Sequence, residues 1–361
     1  MDRRQFLSTS AASLATFLAP TVGHASAKPI NLFDGCGFPF DLERNITPEV
    51  VSAIQNSGYQ LIHTTVGTIG KGEHLFEKSM KFIQRMDRQI TLYQDSLSKI
   101  TSKQDVDNSL RNNTTGIIYG FQDTEQLEGN IENIDPFYTA GVRCMQLTYN
   151  TENRVGSGCI VKEDKGLKPF GEELVSALNR KNILIDLSHC SIKTTEAALR
   201  LSTKPAAITH SGCSALQPHP RNKSDHQLKA MADKGGVVGI YFMPFLRSSG
   251  MAQSADVIAH IEHAINVCGE DHVGIGTDNQ VTPTTITDEY RKKFNANVRE
   301  RREKGIGAPN EQEDVFLFIE DLNTTSRFID LAALLKKRGH SERRVEKIMG
   351  GNFRRLFGGV L

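Results

Sequence analysis

Short apolar segments recur along this chain, and most are followed by a stretch with helical spacing. The segments are continuously apolar rather than alternating, which is typical of strands buried on both faces of a parallel sheet. The predicted strands are Ile30–Asp34, Tyr59–Val66, Gly116–Gln122, Val142–Tyr149, Ile183–His189, Ala206–His210, Gly236–Phe242 and His272–Asp278. This alternation predicts an α/β fold in which helices cover a parallel sheet.

The segments between these strands carry apolar residues at spacings of three and four, as an amphipathic helix does. The predicted helices are Thr47–Ser57, Leu75–Ile100, Phe170–Lys181, Ile192–Leu201, Ser224–Lys234, Ala255–Val267 and a closing helix at Ser341–Leu356. Eight strand and helix units close most simply into a single-domain (β/α)8 TIM-type barrel. The alternative is an open doubly wound sheet, but no Gly-x-Gly-x-x-Gly motif follows the first strand and no change in composition marks a second domain.

The first 27 residues have the order of features found in a twin-arginine export signal. Arg3 and Arg4 precede a mildly apolar run that ends at Ala25-Ser26-Ala27, a small-residue cleavage site. We therefore expect the twin-arginine export machinery as a partner and a periplasmic or secreted barrel at residues 28–361. The apolar run contains Ser, Thr, Pro and Gly, so no permanent membrane span is expected. The alternative is a frayed basic N-terminus, and the sequence leaves open whether the signal is cleaved.

The balance of charge argues against whole classes of partner. The chain of 361 residues has 43 Lys and Arg against 42 Asp and Glu, and removal of the first 27 residues leaves 41 of each. Because a neutral chain creates no field that attracts phosphates, neither nucleic acid nor an anionic membrane surface is expected as a partner. Six well-separated cysteines without a Cys-x-x-Cys pair argue against a disulfide framework. A homodimer is left open.

Residues with useful chemistry fall at the carboxyl ends of the predicted strands, where (β/α)8 enzymes carry their active sites. They are Asp34, Cys36, Gln122, Tyr149, His189, His210 and Asp278. One histidine at a strand end is more often structural than functional. Two imidazoles, a thiol and a carboxylate on one face have the residue types of a metal-dependent hydrolase site.

Seven stretches of this chain resemble the membrane (renal) dipeptidase family, in the order of that family. They are Leu147–Asn150, Gly166–Gly171, Ile185–His189, Ile208–Ser211, His219–Asn222, His272–Asp278 and Ile348–Phe353. The resemblance implies a metal-dependent barrel of the amidohydrolase type that cleaves dipeptides, often with a D-residue on the carboxyl side. It implies that His189 and His210 bind the second zinc ion. It also implies that Arg221 binds substrate and that Asp278 is the acid/base beside the metals.

Four positions in the same predicted pocket depart from the family pattern. Cys36 and Phe38 stand where the family has its first-strand His-x-Asp ligands. Gln122 replaces the bridging glutamate, and Tyr149 replaces the histidine that polarises the scissile carbonyl. A neutral amide cannot offset the charge of two adjacent dications, and a phenyl ring offers no ligand atom. The standard two-zinc site is therefore not expected here.

The residues that remain predict a single zinc ion with an open position for water. His189, His210 and Cys36 are its candidate ligands, with Gln122 as a weak oxygen donor, and Asp278 would shuttle the proton of the water. Cys36 has two other interpretations: a small buried residue, or a nucleophile paired with one of the histidines without metal.

Three further features have a functional and a plain interpretation. The hydroxyl of Tyr149 can donate to an oxyanion and contact substrate, or the ring can be a core aromatic. His219 is expected to orient a loop, and Arg221 to bind a substrate carboxylate. The polar, charge-dense insertion at about 281–315 is a lid over the catalytic face or a solvated excursion.

Two functions follow from the sequence. The first is an exported dipeptidase-like, zinc-dependent hydrolase that cleaves a dipeptide or a related small amide. The alternative is a barrel that has lost dipeptidase activity and binds or tailors a small peptide-like ligand in the periplasm. Its support is the four changes in one predicted pocket.

Overall fold

The computed structural model of the protein describes residues 32–39 and 45–361, so the predicted export signal lies outside the described residues. The strands of this part form one sheet in which every pairing is parallel. They are β1 (Leu32–Asp34), β2 (Tyr59–Thr65), β3 (Leu97–Ile100), β4 (Thr115–Phe121), β5 (Val142–Gln146), β6 (Leu184–Asp186), β7 (Ala207–Ser211), β8 (Val237–Ile240) and β9 (Val273–Ile275).

Eight of these strands form a ring in the order β1-β2-β4-β5-β6-β7-β8-β9. The ring is nearly closed by backbone hydrogen bonds between its two ends. Gly35 N donates to the carbonyl of Ile275 at 2.8 Å, and Asp278 N donates to the carbonyl of Cys36 at 2.7 Å. The (β/α)8 barrel predicted from the sequence is confirmed, and each of its eight strands overlaps a predicted one. Tyr149, His189 and Asp278, which were predicted to end strands, lie three residues beyond the ends of β5, β6 and β9.

Strand β3 is an addition that the sequence did not predict. A helix was expected over Leu75–Ile100, but the helix ends at Leu92 and Leu97–Ile100 is extended. Strand β3 pairs with Thr115–Ile118 of β4, while β5 pairs with the last part of β4. The helix prediction was wrong there because Leu97 and Ile100, the two buried residues of β3, also have the spacing of a helix face.

The helices lie between the strands and cover the outside of the ring. They are α1 (Pro48–Ser57), α2 (Leu75–Leu92), α3 (Lys103–Arg111), α4 (Ile134–Thr139), α5 (Pro169–Lys181), α6 (Ile192–Leu201), α7 (Asp225–Asp233), α8 (Ser254–Cys268), α9 (Asp288–Glu303), α10 (Arg327–Lys337), α11 (Glu342–Glu346) and α12 (Asn352–Phe357). The predicted closing helix is divided into α11 and α12, because Gly350 leaves helical geometry between them. Within the described residues, no helix is long and apolar enough to cross a membrane.

The end of the barrel opposite the strand carboxyl ends is filled by aromatic side chains. The ring of Phe33 lies 5.9 Å from that of Phe353 and 5.1 Å from that of Phe357. Gly35 and Gly274 leave room for Phe353, since a Cβ at either glycine would lie within 2.6 Å of its ring. This plug closes one end of the barrel, so the site is built at the other.

Candidate active site

The hydrogen-bonded residues Asp186, at the end of β6, and Thr209, in β7, fix the orientation of the His210 ring. Asp186 accepts from the backbone N of Thr209 at 3.0 Å and from its hydroxyl at 2.6 Å. Because that hydroxyl proton points to the carboxylate, Thr209 Oγ1 is the acceptor for His210 Nδ1, 2.8 Å away. The proton of the His210 ring is thus on Nδ1, and Nε2 carries a lone pair.

The ring of His189 is held in the same protonation state by Asn150. Its Nδ1 lies 2.6 Å from Asn150 Oδ1, and the amide nitrogen of Asn150 donates to the carbonyl of Ile306 at 3.1 Å. The second contact sets the orientation of the amide, so His189 Nδ1 is the donor to Oδ1. Nε2 of His189 therefore also carries a lone pair.

The two Nε2 atoms of His189 and His210 lie 2.9 Å apart. Burial, with Arg221 nearby, lowers the pKa of both imidazoles well below the usual range, so both rings are neutral near pH 7. Two lone pairs that face each other at this distance cannot form a hydrogen bond. A cation between them satisfies both, which is the arrangement expected of two metal ligands.

His210 also belongs to a second group of candidate ligands. Cys36, His210 and Asp278 each offer an atom, and these atoms lie within 4.8 Å of one another. Asp278 has φ of 55°, an uncommon conformation for a residue other than glycine. The preceding Thr277 is held by Asp34, which accepts from its backbone N at 2.9 Å and from its hydroxyl at 2.6 Å. This pair positions Asp278 as Asp186 and Thr209 position His210.

Gln122 occupies the space between Cys36 and Asp278 with its amide nitrogen. Nε2 donates to Sγ of Cys36 at 3.2 Å and to Oδ1 of Asp278 at 3.4 Å. The sequence predicted an oxygen ligand from Gln122, but both neighbours are acceptors and select the nitrogen. Phe38 takes part in a backbone bridge with Gln280 and has no ligand atom. The residues present thus do not fit the first ion of the two-zinc family pattern.

Two sets of candidate ligands share His210: its pair with His189, and the group with Cys36 and Asp278, which does not include His189. A single ion held at His210 fits these residues better than the two-ion pattern. The two imidazoles supply facing lone pairs, and Cys36 and Asp278 lie beside His210. Burial and the neighbouring Asp278 raise the pKa of the Cys36 thiol well above its usual value. A protonated thiol is a poor nucleophile, whereas a bound cation makes it a thiolate ligand. This favours the ligand interpretation of Cys36 over the metal-free nucleophile.

A cavity of about 150 Å³ adjoins His189 and Asp278. The ring of Tyr149 lines it and stacks on His189, with 4.3 Å between ring centroids. Arg221 also lines it, and the guanidinium donates to the carbonyls of Ser188 at 2.6 Å and of His210 at 3.2 Å. Burial raises the pKa of Asp278 to about 6, although Arg221 partly opposes this effect.

The insertion after β9 covers this cavity. Arg301 and Glu311 from the insertion line its walls, and the guanidinium of Arg301 holds the carboxylate of Glu311 at 2.8 and 3.0 Å. His219 Nε2 donates to the carbonyl of Pro309 at 2.7 Å, while its Nδ1 accepts from Arg221 N. The structure thus places residues 297–311 of the segment over the catalytic face, with His219 as a loop-orienting residue, while most of α9 is exposed to solvent.

Sequence reasoning missed the residues that orient the site. Thr209 and Thr277 each directly precede a candidate site residue, and Asp186 and Asp34 each end the strand beside them. This repeated pattern was visible in the sequence. Arg301 was not recognisable, because it lies in a run of charges that looks fully solvated.

A parallel barrel that gathers imidazole, thiol and carboxylate groups at its strand carboxyl ends belongs to the class of metal-dependent amidohydrolase-type barrels. Residues 47–293 match the sequence model described as "Membrane dipeptidase (Peptidase family M19)". The chain belongs to this family, as its sequence motifs predicted.

Solved structures with the same fold include an amidohydrolase from Pseudomonas aeruginosa, which is 32% identical with a TM-score of 0.78 over 91% of this chain and 96% of that chain. A metallo peptidase from Rhodobacter sphaeroides, liganded with a phosphinate mimic of the dipeptide L-Ala-D-Ala, has a TM-score of 0.75 over 92% of this chain and 100% of that chain. At 18% identity, this second likeness concerns the fold alone.

Curated relatives match parts of the chain. Dipeptidase tcpJ from Claviceps purpurea is 27% identical over 278 residues, which are 76% of this chain and 58% of that protein. An "Uncharacterized protein in pqqA 5'region" from Klebsiella pneumoniae is 38% identical over 162 residues, which are 42% of this chain and 60% of that protein. The matches therefore span 58–60% of the length of these two relatives.

Proposed function

We propose that the protein is an exported dipeptidase that holds a single zinc ion and hydrolyses a dipeptide or a related small amide. The observation that carries this proposal is the pair of Nε2 lone pairs of His189 and His210, which face each other at 2.9 Å beside the cavity. Zinc suits imidazole and thiolate ligands. When bound, it supplies a Lewis acid that polarises the scissile carbonyl and activates water.

The residues around the cavity have separate roles in this proposal. Asp278, with a pKa of about 6, takes a proton from the attacking water and passes it to the leaving amine. Burial raises the pKa of Tyr149, so its hydroxyl stays protonated and can donate to the oxyanion. Arg221 uses two of its N–H groups on backbone carbonyls and also contacts the thiol of Cys159, and its remaining N–H groups are available to the substrate carboxylate.

The cellular setting of this activity is proposed from the sequence at the N-terminus. The twin-arginine pattern at Arg3 and Arg4 supports export as a folded barrel of residues 28–361, with a periplasmic or secreted location. Fusion of residues 1–27 to a reporter protein tests this, since export should require the twin-arginine machinery and fail when both arginines are replaced by lysine.

Metal analysis and a dipeptide assay on the same sample test the catalytic proposal. We expect about one zinc ion per chain and hydrolysis of L-Ala-D-Ala or L-Ala-L-Ala that chelation abolishes and zinc restores. His210→Ala should lose both the metal and the activity. His263→Ala is the matched control, because His263 is paired with Asp225 outside the site. A chain that holds no zinc and cleaves neither dipeptide would exclude the proposal.

The second candidate function is a barrel that binds or tailors a small peptide-like ligand without dipeptidase activity. The observation in its favour is Gln122, whose amide nitrogen lies between Cys36 and Asp278 where the family pattern calls for a bridging carboxylate. Calorimetry with the same dipeptides separates the two functions. Binding without turnover in zinc-loaded protein supports this candidate, and turnover rejects it.

A further inference from the structure

A second cavity, of about 400 Å³, lies between the loops that follow β6 and β7. Its walls include Lys223 and Gln227 and the first residues of α6 and α7. The candidate metal ligands and Arg221 are not among the residues that line it. It is therefore a different place from the cavity beside His189 and Asp278.

Lys223 brings a buried positive charge to this cavity. The residue is 1% exposed, and its Nζ donates to the carbonyl of Cys190 at 2.7 Å and to Thr195 Oγ1 at 3.3 Å. Burial lowers its pKa to about 8, so the side chain is largely an ammonium at neutral pH. Both of these acceptors are neutral, and an ammonium has three N–H groups. Within the described residues, the charge of Lys223 and one of its donors are therefore left without a hydrogen-bond partner.

Gln227 brings a buried donor without an acceptor. It is 2% exposed, and its Oε1 accepts from the backbone N of Ser224 at 3.0 Å and from the Ser224 hydroxyl at 3.1 Å. These bonds fix the orientation of the amide. Its Nε2 has no hydrogen-bond partner within the part of the chain that the structure describes. Since buried donors are nearly always paired, the amide calls for an acceptor in this cavity.

The start of α7 adds to the positive potential. Ser224 caps α7, and the N-terminal end of a helix carries a partial positive charge that favours anions. Asp225 in the first turn offsets part of this charge, and its carboxylate is paired with His263. At the start of α6, Asp164, which also lines the cavity, already fills that role, because its carboxylate accepts from Ser191 Oγ at 2.7 Å and Lys193 N at 2.8 Å. The unsatisfied donors are thus concentrated at the α7 side, around Lys223 and Gln227.

We propose that this cavity binds a small oxyanion, a carboxylate or phosphate group, through the ammonium of Lys223 and the amide of Gln227. The site lies close to the active site without being part of it. Lys223 holds the carbonyl of Cys190, the residue after His189. Cys159 lines the cavity, and its Sγ donates to Asn150 Oδ1 at 3.4 Å, the oxygen that also orients His189. An anion bound here can therefore act on the enzyme as an effector.

Calorimetric titration of zinc-loaded protein with inorganic phosphate, and separately with acetate, tests the site. We expect the wild type to bind at least one of the two anions, and the anion bound more tightly identifies the ligand class. Lys223→Met should weaken binding by about tenfold or more, because it removes the charge. Gln227→Glu should do the same, since it keeps the oxygen that accepts from Ser224 but turns the free donor into an acceptor.

Lys193→Met is the control for general surface charge, because Lys193 is exposed and lies at the neighbouring start of α6. Its affinity for the anion should equal that of the wild type. No binding by the wild type, or binding that both cavity variants leave unchanged, overturns the proposal, and the latter result would place the anion elsewhere on the protein. Gln227→Glu preserves the helix cap and decides the question should Lys223→Met fail to fold. None of these readouts depends on peptide hydrolysis.

Discussion

At the scale of single residues, two aspartate and threonine pairs set the geometry of the site. Asp186 binds Thr209, the residue before His210. Asp34 binds Thr277, the residue before Asp278. Burial raises the pKa of Asp34 to about 7 although the bonds from Thr277 oppose it. Burial of a carboxylate costs free energy. The presence of one such group beside His210 and another beside Asp278 therefore indicates that the two groups orient these site residues.

Removal of the hydroxyl in Thr209→Val tests whether it orients His210. The variant loses the oxygen that accepts from Nδ1, so the ring can turn and Nε2 no longer faces His189. We expect zinc affinity to fall by about 10- to 100-fold, as for other residues that hold a metal ligand. Competition with a chromophoric chelator measures this. Thr91→Val, on an exposed part of α2, should leave the affinity unchanged. Equal affinities for all three proteins would show that Thr209 does not position the ligand.

Lys223 also gives a prediction for stability against pH. Its pKa is about 8 in the folded chain and about 10.5 when unfolded, so between these pH values only the unfolded chain holds the proton. The free energy of unfolding of the wild type should therefore rise by up to about 3 kcal/mol relative to Lys223→Met as pH rises through this window. Below pH 8, the free energy of unfolding of Lys223→Met should exceed that of the wild type by an amount that does not change with pH. Urea denaturation in anion-poor buffer measures the difference, and parallel curves would contradict the assignment.

At the scale of elements, the insertion is the feature that most affects access to the site. The cavity it covers is about 150 Å³, smaller than the range of about 300–1,000 Å³ usual for small-molecule sites. We therefore expect the segment to move when a dipeptide binds. The Arg301 and Glu311 pair holds the segment together internally. Asn150 and His219 of the barrel bond to its backbone, and Val298 and Ala308 of the segment are buried. These features fit a lid that opens and closes.

Glu311→Gln should loosen this lid. The carboxylate holds two nitrogens of Arg301 and the backbone N of Ala308, and a neutral amide cannot replace the ion pair. We expect hydrogen exchange of the amides in residues 304–312 to become about tenfold faster, which corresponds to a loss of about 1.4 kcal/mol in the local stability of the segment. Glu313→Gln is the control, because Glu313 pairs with Arg299 in an exposed position on the same segment. An equal effect of both variants would mean that the segment merely responds to surface charge.

At the scale of the whole molecule, the C-terminus completes the barrel. Phe353 lies under β1 and β9, where Gly35 and Gly274 admit its ring, and it joins the strands whose backbones close the circle. The first and last thirds of the chain are thus held together by one plug. Stability of the seam between β1 and β9 depends on a residue that comes near the end of the sequence.

Phe353→Ala should destabilise the protein by about 3–5 kcal/mol, because it leaves a cavity under the seam that the glycines cannot fill. Equilibrium denaturation of zinc-free protein gives the free energy of unfolding without the contribution of the metal. Leu92→Ala is the control, since Leu92 is 67% exposed and should change stability by less than about 0.5 kcal/mol. A small effect of Phe353→Ala would mean that the barrel closes without the plug.

The sequence by itself determined the eight strands, their order and the face that carries the site. Strand character is local, being set by short apolar segments, and parallel strands must bring their carboxyl ends to one edge. For this reason His189, His210 and Asp278 could be placed together from the sequence alone. The resemblance to a known family gave these residues their expected roles.

Only the tertiary structure decided the rest, because each remaining feature depends on contacts between distant parts of the chain. It placed Leu97–Ile100 beside β4 as a strand and turned the nitrogen of Gln122 toward Cys36. It also folded the charged insertion over the cavity, where Arg301 meets Glu311. Hydrogen-bond partners and the direction of lone pairs arise from three-dimensional packing, which the residue pattern of a single segment does not contain.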